Sequence, residues 1–195
     1  MCLAVAVKKG AAAEVKRDEM RAACSVHRDG MGFAYHTGGK LMIHKGYFKF
    51  DDFWADFEKQ RAEYPDSPFL IHFRMATAGK IDKDNTHPFR FKGGVFVHNG
   101  IIGQLGDAWG TGQSDTAHLA KLMHDLPTRA VPYFLHDITG KISRSNKLAV
   151  LTNDGELMFA NEHEGHWREG VWFSNLSYKS DFGKYDDSML DYYER

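Results

Sequence analysis

Met1-Cys2-Leu3-Ala4-Val5-Ala6-Val7 opens the chain. The apolar run behind the cysteine is short and continuous and reads as a buried strand. A cysteine is small enough to permit removal of the methionine before it. Removal would leave one residue carrying both a thiol and a free α-amine. Reference pKa values are about 8 for an α-amine and about 8.5 for a thiol, so the amine is matched to accept the thiol proton near neutral pH. On these residues alone two readings stand: the plain edge of a first strand, or a nucleophile with its own base.

Outward from this strand, the residues alternate between strand-like and helix-like patterns. Residues 14–24 are rich in Ala, Lys, Arg and Glu and read as a helix, closed by His27-Arg28-Asp29-Gly30. Residues 31–36 and 41–44 form a hairpin across Thr37-Gly38-Gly39-Lys40. Residues 51–64 read as an amphipathic helix, with Asp51 as its cap and Phe53, Trp54, Phe57 and Arg61 at helical spacing, stopped by Pro65 and Pro68. A strand at 69–73, a loop from Met75 to Pro88 and a strand at 94–98 follow. Ser114-Asp115-Thr116 starts a helix running to about residue 126. Residues 147–152 and 156–160 make a second hairpin across Asn153-Asp154-Gly155, and 171–174 a last core strand. Strands outnumber helices, and an α+β layered sandwich fits best.

The bulk properties are those of an ordinary globular protein. The 195 residues suit one domain, 43% are hydrophobic and 26% charged. A net charge of −1 predicts no broad attraction to nucleic acid or anionic membrane. No signal peptide or membrane span is read, since the Leu3 to Val7 run is too short and leads into Lys8-Lys9. Two cysteines, Cys2 and Cys24, make no disulfide framework, so a reducing cytoplasm is the expected location.

Four segments carry more polar chemistry than a plain core requires. They are Cys2, the strand end His72-Phe73-Arg74-Met75-Ala76-Thr77-Ala78-Gly79, the loop Asn85-Thr86-His87-Pro88-Phe89, and the strand end Val97-His98-Asn99-Gly100. With Ser114-Asp115-Thr116 they follow in order the pattern N-terminal Cys, His-x-Arg-x-Ala-Thr-x-Gly, Asn-x-His-Pro, His-Asn-Gly, Ser-Asp-Thr. His27-Arg28-Asp29-Gly30-Met31-Gly32-Phe33 matches an Asp-Gly-x-Gly strand entry. The chain in this respect resembles the class II glutamine amidotransferase domain of the N-terminal nucleophile hydrolases, from residue 2 to about residue 175.

The resemblance implies a four-layer αββα sandwich over residues 1–178, with 179–195 an unassigned tail whose anchors would be Leu190, Tyr192 and Tyr193. It implies glutamine as substrate and no cofactor or metal. Cys2 would attack the side-chain amide to give a γ-glutamyl thioester and ammonia, then glutamate. Asn99 and the Gly100 N–H would stabilise the oxyanion, where losing one donor costs about 3 kcal/mol. The substrate-binding set would be Arg74, Thr77, Asp115, Gly32, His87 and His98. Arg74 would clamp the α-carboxylate, Thr77 would assist it, and Asp115 would hold the α-ammonium. Gly32 would let backbone pass close to the nucleophile. His87 and His98, with His72, would shape the pocket rather than supply the base. Plainer roles remain beside these: a strand-end ion pair for Arg74, a helix cap for Asp115.

The family normally couples this chemistry to a synthase that uses ammonia. No stretch is left over for one here, so a separate ammonia-accepting subunit is expected. The alternatives are a free-standing hydrolase of a larger γ-glutamyl amide, and a binding module without activity. His163-x-x-His166 with Glu162 and Glu164 reads as a solvated turn rather than a metal site. The glycines at 103, 106, 110 and 112 lack phosphate-loop order and read as a loop that closes over the substrate.

Overall fold

The structure, a computed structural model, describes residues 1–105, 110–139 and 141–179. Gly106 of the glycine-rich loop and the tail anchors Leu190, Tyr192 and Tyr193 lie outside the described residues. No helix among the described residues is long and apolar enough to cross a membrane.

The first strand, β1 (Leu3–Val7), explains the architecture. All five side chains are buried, because alternate residues enter different cores. Leu3, Val5 and Val7 pack with Met20 and Ala23 of α1 (Arg17–Val26) and with Phe50, Phe53, Trp54 and Phe57 of α2 (Phe50–Glu63). Ala4 and Ala6 face the other way, toward a second sheet. A strand covered on both faces shows no polar alternation, which is why this one reads as a continuous apolar run.

Around it lie β2 (Met31–His36), β3 (Leu41–Tyr47), β4 (Phe69–Phe73), β5 (Phe89–Phe91), β6 (Gly94–Asn99), β7 (Lys147–Thr152), β8 (Leu157–Ala160), β9 (His166–Arg168) and β10 (Val171–Phe173). One antiparallel sheet has the order β3-β2-β4-β1-β10-β9 and the other β5-β6-β7-β8. Small residues of the first sheet, Ala4, Ala6 and Ala34, meet Val95, Val97, Ala149 and Leu151 of the second. The outer face of the second sheet, through Phe96, Leu148 and Val150, packs on α3 (Asp115–Leu122) and α4 (Val131–Thr139). The protein is thus α+β, with two antiparallel sheets and, among the described residues, four α-helices.

Several elements depart from the sequence expectation. Asp51 does not cap α2; it accepts hydrogen bonds from Arg17 and Arg21 at 2.9 and 2.6 Å, tying the start of α2 to α1. In place of the helix expected at 14–24 there is a 3-10 turn at Ala12–Glu14 and, after extended Val15 and Lys16, the α-helix Arg17–Val26. The helix expected to reach about 126 ends at Leu122. β5, β9 and α4 were not expected. His163 lies 3.4 Å from Glu164, while His166 stands in β9, bonds the Tyr178 hydroxyl at 2.9 Å and stacks on Phe173.

Candidate active site

Antiparallel pairing brings polar strand ends together. Leu3 pairs with Phe73, so the residues just outside the ladder, Cys2 and Arg74, become neighbours. β6 ends at Asn99, and Gly100 follows it. A small pocket forms there, lined by Cys2, Arg74, Thr77, His87, His98, Gly100 and Asp115, with Met75, Ala78, Ser114 and Thr116.

The Cys2 thiol donates to the Met75 carbonyl at 3.4 Å, and the Met75 N–H lies 3.3 Å from the sulfur. Burial pushes this thiol up; the Met75 N–H, the chain's N-terminal charge and Arg74 pull it part of the way back. Left to itself the sulfur therefore stays protonated near neutral pH, and a nucleophilic role requires a base. The α-amine of Met1 sits 3.2 Å from the Met75 sulfur.

Arg74 is buried, with 2% of its surface exposed. Its Nη1 donates to the Lys80 carbonyl at 2.9 Å and its Nη2 to the Ala78 carbonyl at 2.8 Å. These bonds fix the plane of the fork, and among the described residues the other N–H groups of the guanidinium have no partner. Among the described residues no carboxylate lies within ion-pair distance of it. A buried cation without a counter-ion is expensive, so the site favours an anion.

Asp115 occupies the first turn of α3, behind Ser114, whose Oγ accepts the Ala117 N–H at 3.1 Å. Its Oδ2 accepts the Ile102 N–H and its Oδ1 the Thr116 N–H, each at 2.7 Å. These bonds fix the Asp115 carboxyl group at the pocket wall, in the same pocket as Arg74. Thr77 lies on the exposed rim.

The histidines form an ordered chain. His72 Nε2 is 3.0 Å from the His98 carbonyl and must donate to it. Burial holds His72 and His87 well below the usual histidine range, so both rings are neutral. His72 Nδ1 is then an acceptor, and His87 Nδ1, 2.9 Å away, donates to it. This leaves His87 Nε2 as a buried acceptor with no partner among the described residues. His98 bonds Thr116 Oγ1 at 2.9 Å and Asn146 Oδ1 at 2.8 Å.

Two of the expected residues do not line the pocket. Asn99 is buried, with Nδ2 3.0 Å from Ser174 Oγ and Oδ1 without a partner among the described residues. At Gly32 a Cβ would come within 2.2 Å of the His87 carbonyl, so the close approach there is to the His87 loop rather than to Cys2. Gly100 has φ +147°, and a Cβ would stand 2.3 Å from Asn146 Oδ1; only glycine is at ease there.

Sequence reasoning passed over Ser174, Asn175 and Ser177. Asn175 Nδ2 donates to the Cys2 carbonyl at 2.8 Å, and Ser174 Oγ accepts the Ala4 N–H at 2.9 Å. A signal existed: polar residues directly after the apolar run Val171-Trp172-Phe173, the pattern that singled out Arg74 and Asn99.

A comparison with curated proteins finds no match to the chain. A family model matches residues 15–169, most of the chain, beginning downstream of Cys2; it is that of the glutamine amidotransferases of class II.

Proposed function

The chain belongs to the class II glutamine amidotransferases, and from that membership we propose that it hydrolyses the side-chain amide of glutamine with Cys2 as nucleophile. The observation that carries this reading is the pocket in which the Cys2 thiol meets a buried Arg74, which has no ion-pair partner among the described residues, and the carboxylate of Asp115. An amino acid presents complementary charges at its α-carbon, and an amide nitrogen is the leaving group at the far end.

In the proposed cycle Met1 is removed and the Cys2 α-amine takes the thiol proton. The sulfur adds to the amide carbon, and the negative charge moves to oxygen. The Gly100 N–H donates to that oxygen. Asn99 becomes the second donor once its amide turns over: Ser174 Oγ, which already accepts from Ala4, then gives its own proton to Oδ1, and the NH2 is released. The amine passes its proton to the leaving nitrogen, the C–N bond breaks, and ammonia departs. Water then opens the γ-glutamyl thioester, giving glutamate and restoring the thiol. Arg74 and Thr77 hold the α-carboxylate, Asp115 the α-ammonium, and His87 Nε2 accepts a further hydrogen from the substrate. A separate subunit would consume the ammonia.

The same reading orders the layers as α1/α2, first sheet, second sheet, α3/α4, the αββα sandwich of N-terminal nucleophile hydrolases, over residues 1–178; the three core clusters support it. The test is labelling with a glutamine-like diazoketone and location of the adduct by mass spectrometry. Modification of a Cys2 that has lost Met1, glutamate release by the wild type, and none by Cys2→Ala are expected. Release of glutamate at an undiminished rate by Cys2→Ala would refute the mechanism.

A further inference from the structure

We infer that Asn175, oriented by Ser177 and His27, is a positioning residue for the nucleophile, holding Cys2 by its carbonyl so that thiol, α-amine and oxyanion donors stay in register. The inference rests on the reading of Cys2 as nucleophile and assigns a role to a segment beyond the family match, which ends at 169.

The hydrogen bonds leave one arrangement. Asn175 Oδ1 accepts from the Ser177 N–H at 3.0 Å and from the Ser177 hydroxyl at 2.6 Å. Two donors on one end fix which end is oxygen, so Nδ2 is the end that meets the Cys2 carbonyl at 2.8 Å. The Ser177 proton is committed to Asn175. His27 Nε2, 2.7 Å from Ser177 Oγ, must therefore donate. His27 is 2% exposed and its Nδ1 is buried without a partner among the described residues. That ring nitrogen is an acceptor, close enough to the chain's N-terminus to feel its charge. The chain is thus polarised in one direction, from the His27 ring through Ser177 and Asn175 to the backbone of Cys2.

The neighbouring residue does the same one step inward. The Ser174 N–H donates to the Ala4 carbonyl at 2.9 Å and its Oγ accepts the Ala4 N–H at 2.9 Å. That Oγ is also 3.0 Å from the Asn99 amide. Residues 174 and 175 therefore grip the start of β1 and, through Ser174, the side chain of Asn99 as well. The ladder between β1 and β10 has its last paired residues at Val5 and Phe173. Past it, a strand end is ordinarily loose, and side chains replace the missing ladder bonds. From His27 Nε2 onward each link of this buried polar chain is a made hydrogen bond, and its far end terminates on the nucleophile's residue. A displacement of about 1 Å in such a group can lower a rate about 100-fold.

The test compares wild type with Asn175→Leu, which keeps size and removes the amide, and with Ser177→Ala and Ser177→Thr. Two readouts are taken: glutamate release, and the rate of Cys2 alkylation by iodoacetamide between about pH 6 and pH 9, with Cys24 as internal reference. For Asn175→Leu, kcat should fall about tenfold or more with KM for glutamine nearly unchanged, and Cys2 alkylation should slow while Cys24 does not. Ser177→Ala should show a smaller loss of the same kind, and Ser177→Thr, which keeps the hydroxyl, should restore it. Unchanged kcat and alkylation, or losses that only track the folded fraction by calorimetry, overturn the inference. If the wild type neither releases glutamate nor takes the diazoketone, the reading of the enzyme fails instead; the alkylation comparison still decides the role of Asn175.

Discussion

At Arg74 the physical chemistry of a single side chain decides more than its charge. Two backbone carbonyls, of Ala78 and Lys80, hold its fork at 2.8 and 2.9 Å. A lysine carries the same charge but no plane, and cannot satisfy both carbonyls while still meeting a carboxylate. Hydrogen bonds to charged groups contribute about 1.5–3 kcal/mol, so Arg74→Lys should raise KM for glutamine by about 10- to 100-fold with a smaller effect on kcat. Steady-state kinetics check this; a kcat-only effect would place Arg74 away from the substrate. The thiol at the adjoining strand end is governed chiefly by burial. Burial raises the Cys2 thiol, so under the proposed mechanism a processed amine beside it is the group that would make it reactive. A chain that keeps Met1 should therefore alkylate slowly at Cys2 near neutral pH, and removing Met1 enzymatically should speed the reaction; equal rates in the two forms would show that the amine is not the base.

Among the elements, α3 carries the clearest local logic. Ser114 caps it and Asp115 stands in its first turn, where a carboxylate is favoured by the helix dipole. Ser114→Ala should cost about 1 kcal/mol of stability, read by denaturant unfolding, and, on the proposed role of Asp115, should also weaken glutamine binding because Asp115 is the next residue. An intact KM in that variant would uncouple the cap from the site. This helix start was legible in Ser114-Asp115-Thr116, as was β1 in its apolar run and the β7–β8 hairpin in Asn153-Asp154-Gly155, where Gly155 takes φ +80°. Other elements were not. β5 and β9 are three residues each, too short to show a period. α4 has Val131, Phe134, Leu135 and Ile138 at helical spacing, but Pro132 beside Pro127 reads as punctuation; in the first turn a proline displaces no helical bond. Asp51 had the right residue type for a cap, yet α2 begins at Phe50, so Asp51 lies within the first turn, where two arginines of α1 bind its carboxylate. In the site, groups at the ends of apolar strands stood out. Ser174, Asn175 and Ser177 carry the same strand-end pattern after Val171-Trp172-Phe173, but what they hold, the start of β1, lies about 170 residues away and is set by the β1–β10 pairing.

For the molecule as a whole, the buried histidines set the response to acid. Burial is the leading cause that keeps His27, His72, His87 and His98 below their ordinary range. A histidine whose folded pKa is depressed leaves the unfolded chain holding more protons, so stability is lost as pH falls below about 6.5. For His27, pushed down to about 4, the loss continues to about pH 4 and amounts to about 3 kcal/mol. The melting temperature should be flat from about pH 8 to 7 and fall steadily below about 6.5; a constant value down to about pH 5 would mean that these rings charge without cost. The overall layering was only partly readable, since a strand buried on both faces shows neither which side meets helices nor which meets the other sheet. The position of β1 has a further consequence. It hydrogen-bonds to β4 on one side and to β10 on the other, so β1 is completed by a strand about 170 residues further along. Such distant closure is slow, and under the proposed mechanism it delays competence: a nascent or clipped polypeptide lacking 171–177 would carry every recognisable motif and be inert, its sulfur waiting for a partner not yet made.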